Sequence, residues 1–271
     1  IIQVGYPAIP RSFLGTLSKN TVSYFISIFA PIGILGIYNR SIMLNPYYQF
    51  MWQSIRRIVS PDYITSSKNS KKYISTEITN SWLIISALFL ILICFFYSDF
   101  LNYLKIDEEF LIISYYTPLL LIRTSIDGAN LFPSLHIIMN KRVDLDLYVQ
   151  IMRVAILVFS SFILIPKYEI IGGIISIIFA YFVGYIFKYF MAKKLKYKGS
   201  LSIFFMVVMF LSVLISHYIT FVLNADFVIK TFGFLLFLVL FAFLDKFFNN
   251  SFLNGHIVAN ATIIKRKYLK C

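Results

Sequence analysis

The chain is poor in cysteine and in charge, and both shortages exclude whole classes of protein. Of 271 residues only two are cysteines, Cys94 inside an apolar run and Cys271 at the last position, and these are not placed to meet. No disulfide framework is expected, and no His/Cys cluster has metal-ligand spacing, so neither metal nor cofactor is expected. Charged residues make up 14% of the sequence, against about 25% in soluble domains. A glycine-rich nucleotide loop is also missing, so energy for any transport would come from an ion gradient or a separate subunit. The connections are too short to carry the catalytic acids and bases of a membrane glycosyltransferase or polymerase, and no histidine stands beside an acid in the way an acyltransferase needs. The chain is therefore not expected to be an enzyme. No initiator methionine and no basic leader precede the first apolar stretch, which reads as a fragment.

What fills the sequence is apolar. Hydrophobic residues account for 59% of it and mean hydropathy is +0.79, so lipid is the expected solvent. Long apolar runs separated by short basic stretches fit helices rather than the ten-residue alternation of a β-barrel. About twenty apolar residues cross a bilayer, which places spans near 4–28, 33–60, 77–98, 110–135, 146–165, 170–192, 201–222 and 227–247. The expected fold is all-α, a polytopic membrane bundle of about eight transmembrane helices. Counting lysine and arginine in alternate connections tests the assignment. One side collects seventeen, among them Arg56, Arg57, Lys71, Lys72, Lys141, Arg142, Lys193, Lys194, Lys196, Lys198 and the basic tail. The other has only Lys105, Lys167 and Lys230, beside Asp99, Asp107, Glu108, Glu109, Glu169 and Asp226. Both ends are therefore expected in the cytoplasm. The net charge of +13 is then topology charge spread over several loops, which excludes nucleic acid as a partner.

Three spans carry polar stripes. In the first, Ser12, Thr16, Lys19, Ser23 and Ser27 recur at steps of three and four, flanked by Asn20. The second repeats this with Ser41, Asn45, Gln49, Gln53 and Arg56, with Arg40 at its margin and Pro46 expected to kink it. The fourth aligns Arg123, Asp127, Asn130 and Ser134, with Arg123 and Asp127 one turn apart and able to pair. A charged group at helix centre costs about 2.5–3.5 kcal/mol on insertion scales, so the stripes need a shared hydrated cavity or an interior ion-pair network. Arg123 with Asp127 also suits a purely structural pair, and Lys19 and Arg40 suit snorkelling to an interface. Arg11 is expected to be interfacial.

Other features have plainer readings. Gly172, Ser176, Ala180 and Gly184, at steps of four, form a helix-packing face. Trp52, Trp82, Tyr97 and Tyr103 suit headgroup belts. His136, beside Lys141 and Arg142, reads as structural rather than as a proton relay. Asn249-Asn250-Ser251 and Asn260-Ala261-Thr262 match a glycosylation pattern but fall on the cytoplasmic side, where they carry no meaning.

Three motifs carry a resemblance. Gly5-Tyr6-Pro7-Ala8-Ile9-Pro10, Gly33-Ile34-Leu35-Gly36-Ile37-Tyr38 and Ile165-Pro166-Lys167-Tyr168-Glu169-Ile170-Ile171-Gly172-Gly173 together resemble the C-terminal lobe of Wzx-type polysaccharide flippases, in the multidrug/oligosaccharidyl-lipid/polysaccharide exporter superfamily. The resemblance runs over the whole chain, with its first span similar to the seventh of a fourteen-helix protein. It implies a six-helix lobe over 1–192, two additional helices over 193–248 and a basic cytoplasmic tail over 249–271, with the N-terminal lobe missing. It also implies a cationic central cavity, lined mainly by the first, second and fourth helices of each lobe, in a bacterial inner membrane. The implied cargo is an undecaprenyl-pyrophosphate-linked oligosaccharide moved by alternating access. Lys19, Asn20, Arg40, Asn45, Gln49 and Arg123 are the candidate substrate-binding residues. Asp127 would compete for Arg123 or take a coupling H+ or Na+. Glu169 stands where the family more often has glycine, and Asn20 where an acidic residue is frequent. Two rival functions are a polymerase or ligase of envelope polysaccharide assembly, which wants a catalytic dyad, and a drug/cation antiporter of the same superfamily, which wants an acidic cavity. A half cavity alone is expected to be inactive.

Overall fold

A computed structural model describes residues 2–66, 68–106, 108–223 and 225–249. Among them every regular element is an α-helix: α1 (Ile2–Phe29), α2 (Ile32–Ser41), α3 (Asn45–Thr65), α4 (Lys68–Tyr103), α5 (Glu108–Ala129), α6 (Leu131–Met139), α7 (Val143–Lys194), α8 (Ile203–Phe221) and α9 (Phe227–Asn249). Four stretches are long and apolar enough to cross a membrane: Ser70–Tyr103, Val143–Lys194, Ile203–Phe221 and Phe227–Leu244. The remaining helices carry the polar stripes or are short. Asp107 and the tail from 250 onward, with both Asn-x-Ser/Thr sequences, lie outside the described residues.

Prolines divide two of the expected spans. Pro46 has no N–H for the Ile42 carbonyl, and Asn45 N–H bonds that carbonyl instead in a tight turn at 3.0 Å. The expected kink is thus a break, α2 ending at Ser41 and Pro46 standing in the first turn of α3. Pro133 likewise leaves the Ala129 carbonyl without its helical donor, and Asn130 separates α5 from α6.

The 52 residues of α7 fold back on themselves at Glu169, whose φ of 48° and ψ of −121° are non-helical. Asp146 pairs with Lys188. A Cβ on Gly184 would lie 3.3 Å from Arg153, and one on Gly172 only 2.3 Å from the Leu164 carbonyl. These contacts make α7 a hairpin of two antiparallel arms, 143–168 and 170–194, each about 38 Å long at 1.5 Å per residue. The expected packing face is used within that hairpin. Gly172, Ser176, Ala180 and Gly184 are all buried, and at Gly172 and Gly184 the opposing arm lies directly against the backbone.

Helix α1 lies along the hairpin. Arg11 meets Asp146, Ser18 meets the Tyr181 hydroxyl, and Val22 and Ile26 rest on Gly173. The buried face of α1 is thus Ser18, Thr21, Val22 and Ile26, while Ser12, Thr16, Lys19, Asn20 and Ser27 on the other faces stand exposed. Helices α4, α8 and α9 form a second layer against α5. In it Phe95 and Phe96 of α4 pack on Phe237 and Phe234 of α9, whose outer side leaves Phe232 and Val239 about 70% exposed. Such a continuous apolar exterior requires an apolar surrounding.

An aromatic cluster joins α3, α4 and α5. Trp82 is 2% exposed, 4.4 Å from Trp52 and 5.6 Å from Tyr48 between ring centroids, and its indole N–H donates to the Ser125 carbonyl at 2.9 Å. Neither tryptophan occupies a headgroup belt. Tyr103 stands 83% exposed at the end of α4.

Contacts gather several helix ends into two groups. At one end the Lys71 ammonium lies over the Tyr63 ring, His136 bonds the Leu195 carbonyl and Ser202 bonds Asn80. At the other Lys230 pairs with Asp99, and His217 bonds the Tyr115 carbonyl. Helix ends at Leu101–Ile106, Ile137–Arg142 and Ala192–Tyr197 close with the same device, an N–H bonded five residues back at 3.1–3.2 Å. Its left-handed position is taken by Lys105, Lys141 and Lys196, with φ of 55–65°. Glycine fits that backbone more easily, but a lysine there places its charge beside the negative end of the helix dipole.

Candidate functional site

The polar stripes meet in one concavity of about 250 Å³ between α1, α3, the α5–α6 junction and the α7 hairpin. From the expected stripes come Lys19, Gln49, Gln53, Arg56, Asp127, Asn130 and Ser134. From the hairpin and the start of α1 come Arg11, Gln150, Arg153 and Lys188. Trp52 supplies the wall that ties the site to the aromatic cluster.

The floor is an ion network centred on Asp146. Its carboxylate is wholly buried, with Arg11 Nε at 2.7 Å and Lys188 Nζ at 2.9 Å. Lys188 also donates to Ser134 Oγ at 3.0 Å, which ties the second hairpin arm to α6. Arg11, expected to be interfacial, is ion-paired to Asp146 with its side chain 32% exposed. Two cations share one anion here, so the floor keeps a positive excess.

Arg153 is the second centre. Its guanidinium donates to Gln150 Oε1 at 2.5 Å and to Asp127 Oδ1 at 3.4 Å, and stacks 4.2 Å from the Tyr181 ring centroid. Gly184 makes this placement possible by leaving room for the arginine stem on the facing arm. Residue 153 lies about 15 Å along its arm at 1.5 Å per residue. The partner expected for Asp127 was Arg123. The structure gives it Arg153 instead, because α5 turns Arg123 inward, 7% exposed, with Cζ 5.1 Å from the Tyr181 ring centroid. Two guanidiniums thus lie over the Tyr181 ring, 4.2 and 5.1 Å from its centroid, an interaction that a ring quadrupole stabilises.

Each sequence-derived candidate has a definite place. Lys19, exposed and with no ion-pair partner among the described residues, stands on the cavity wall with Gln49 and Asp127. Asn45 is set just behind it, its side-chain oxygen accepting from Thr124, itself a lining residue. Arg123 lies beneath the wall, while Asn20 and Arg40 are exposed outside the lining. Sequence reasoning missed Arg153, Gln150, Asp146 and Lys188. A signal was present in the spacing, since Asp146, Gln150 and Arg153 fall at steps of four and three along an otherwise apolar arm.

The chain matches no family model, no curated protein and no solved structure.

Chemically, the lining presents Arg11, Lys19, Arg56, Arg153 and Lys188 beside the carboxylate of Asp127, with Asp146 beneath them pairing Arg11 and Lys188. It offers amide and hydroxyl groups from Gln49, Gln53, Asn130, Gln150, Ser134 and Thr124. No group of three or more His, Cys, Asp or Glu able to hold a metal occurs among the described residues. A site of this kind attracts an oxyanion and hydrogen-bonds polyhydroxylic groups beside it.

Proposed function

We propose that this chain is one lobe of a flippase that carries an undecaprenyl-pyrophosphate-linked oligosaccharide across a bacterial inner membrane. On this reading it crosses the membrane eight times, with its basic end in the cytoplasm. The α7 arms count as two spans, and α2 with α3 and α5 with α6 as one each. The observation that carries the reading is the cationic excess at the cavity, five basic side chains against Asp127 on the wall and Asp146 on the floor, which on this reading lies at membrane depth where each charge is costly. A diphosphate is the chemical complement of that surplus, and the amides and hydroxyls suit the first sugars.

The volume supports a division of labour. At about 250 Å³ the concavity is smaller than the roughly 300–1,000 Å³ that encloses a drug-sized ligand, so it accommodates the charged end of the cargo and leaves the glycan to neighbouring surface. The exposed polar face of α1 runs on from it through Ser12, Thr16 and Lys19. A polar face at membrane depth needs water or protein over it, which fits a second lobe closing a shared aqueous chamber. Asp127, half exposed and within reach of Arg153, neutralises that arginine when no cargo is bound.

The deciding experiment is flipping of a fluorescent lipid-pyrophosphate-sugar in liposomes reconstituted with the complete protein, beside efflux of a cationic dye. The expected result is sugar-lipid transport without dye efflux, lost in Lys19→Gln and Arg153→Gln while membrane insertion persists. Dye transport alone, or full transport by both variants, would refute the assignment.

A further inference from the structure

A second cavity, of about 430 Å³, opens at the lysine-rich end of the bundle and shares no lining residue with the first. Four helix ends build it. Tyr63 comes from the last turn of α3, Lys71 and Lys72 from the start of α4, His136 from the end of α6, and Lys196 and Lys198 from the α7–α8 connection. Four lysines therefore converge, and no carboxylate is among the lining residues.

The lysines are held rather than loosely displayed. The α7–α8 connection is fastened by Tyr189 Oη donating to the Gly199 carbonyl at 3.2 Å, by His136 bonding the Leu195 carbonyl at 2.9 Å and by Ser202 Oγ donating to Asn80 at 2.7 Å. Its own Tyr197 ring is buried and folds back onto it, so close that a Cβ on Gly199 would fall 2.2 Å from the tyrosine oxygen. Lys196 and Lys198, on either side of that ring, are fixed at their backbones with their ammonium groups exposed. Mutual repulsion of four cations around one opening is relieved by an anion inside it.

We propose that this cavity binds a phosphate monoester or diester, carried by a membrane phospholipid headgroup or by a soluble molecule. The lining lies at the ends of the apolar helices, where headgroups sit, and basic pockets between helix ends are suited to anionic headgroups. Met139, which lines the cavity and is 37% exposed, offers an apolar edge beside the charges for the start of an acyl chain. The volume falls within the range of small-ligand sites. Because the two cavities have different residues, this proposal stands or fails independently of the transported cargo.

The test uses the full chain in neutral detergent and native mass spectrometry to count retained phosphatidylglycerol against phosphatidylcholine. Preferential retention of phosphatidylglycerol is expected, weakening about fivefold for each of Lys72→Gln, Lys196→Gln and Lys198→Gln, from roughly 1 kcal/mol per basic residue near a lipid surface. The triple Gln variant should lose about a hundredfold, whereas the triple Arg variant and Lys105→Gln at the opposite end should bind as the parent does. Displacement by millimolar glycerol 3-phosphate would assign the site to a soluble phosphate, and resistance to it would assign the site to lipid. Equal retention of both lipids together with no glycerol 3-phosphate binding, or undiminished binding by the triple Gln variant, overturns the proposal.

Discussion

Replacing Asp146 by asparagine removes one charge from the floor of the central cavity and almost no volume. At an effective dielectric constant near 20, a pair of unit charges 2.7–2.9 Å apart attracts by roughly 6 kcal/mol before desolvation, and Asp146 has two such partners in Arg11 and Lys188. Desolvation of three groups offsets much of this, so the attraction is not the net stability of the network. The substitution leaves that desolvation in place for Lys188, whose side chain is 6% exposed. Removing one partner of a buried pair in this way costs about 3–5 kcal/mol. The Arg11 share is discounted because its side chain is about a third exposed. On soluble-protein scaling the melting midpoint in detergent should fall by roughly 10 °C. Lys188→Met added to Asp146→Asn should recover more than half of the loss, because the orphaned ammonium is then gone; a double-mutant cycle reads this as coupling. A loss below about 1 kcal/mol for Asp146→Asn, or no recovery in the double variant, would mean that the network does not hold α1, α6 and the hairpin together.

Three further outcomes are expected. Glu169→Gly should raise stability by about 0.5–1 kcal/mol, since φ of 48° strains any side-chain-bearing residue; Glu169→Val should lower it, and thermal melting distinguishes the two. Gly128→Ala places a Cβ 2.2 Å from the Trp82 indole nitrogen, so it should cost about 1–3 kcal/mol and alter the fluorescence of the Trp52–Trp82 pair by breaking the bond to Ser125. In a Cys271→Ser background, Lys196→Cys and Lys105→Cys should react with an impermeant maleimide from opposite faces of sealed vesicles, Lys196→Cys from the cytoplasmic one. Labelling of both from the same face would break the eight-span reading, and Cys94, fully buried, should stay unlabelled in either case.

Composition and periodicity determined that this chain is helical, that it carries helices long and apolar enough to cross a membrane, and which faces of α1, α3 and α5 are polar, because helix geometry converts spacing directly into a shared face. The stripe Lys19, Gln49, Asp127, Asn130 and Ser134 was legible for that reason, as was the small-residue face of the hairpin. Pairing was not legible. Whether Asp127 meets Arg123 or Arg153 depends on how far α5 is rotated and how closely the two α7 arms approach, and Gly184 decides the second by admitting the arginine stem. Asp146 escaped notice as a site residue because, with Asp144, it stands in a helix's first turn, where acids suit the dipole; only the return of the chain at Glu169 brings Lys188 beside it. The tryptophans were misplaced for a similar reason, since hydropathy gives depth along a helix but not which side faces a neighbour. Local sequence thus sets what each helix can present, and tertiary packing chooses the partner, because partner choice depends on distances between segments remote along the chain.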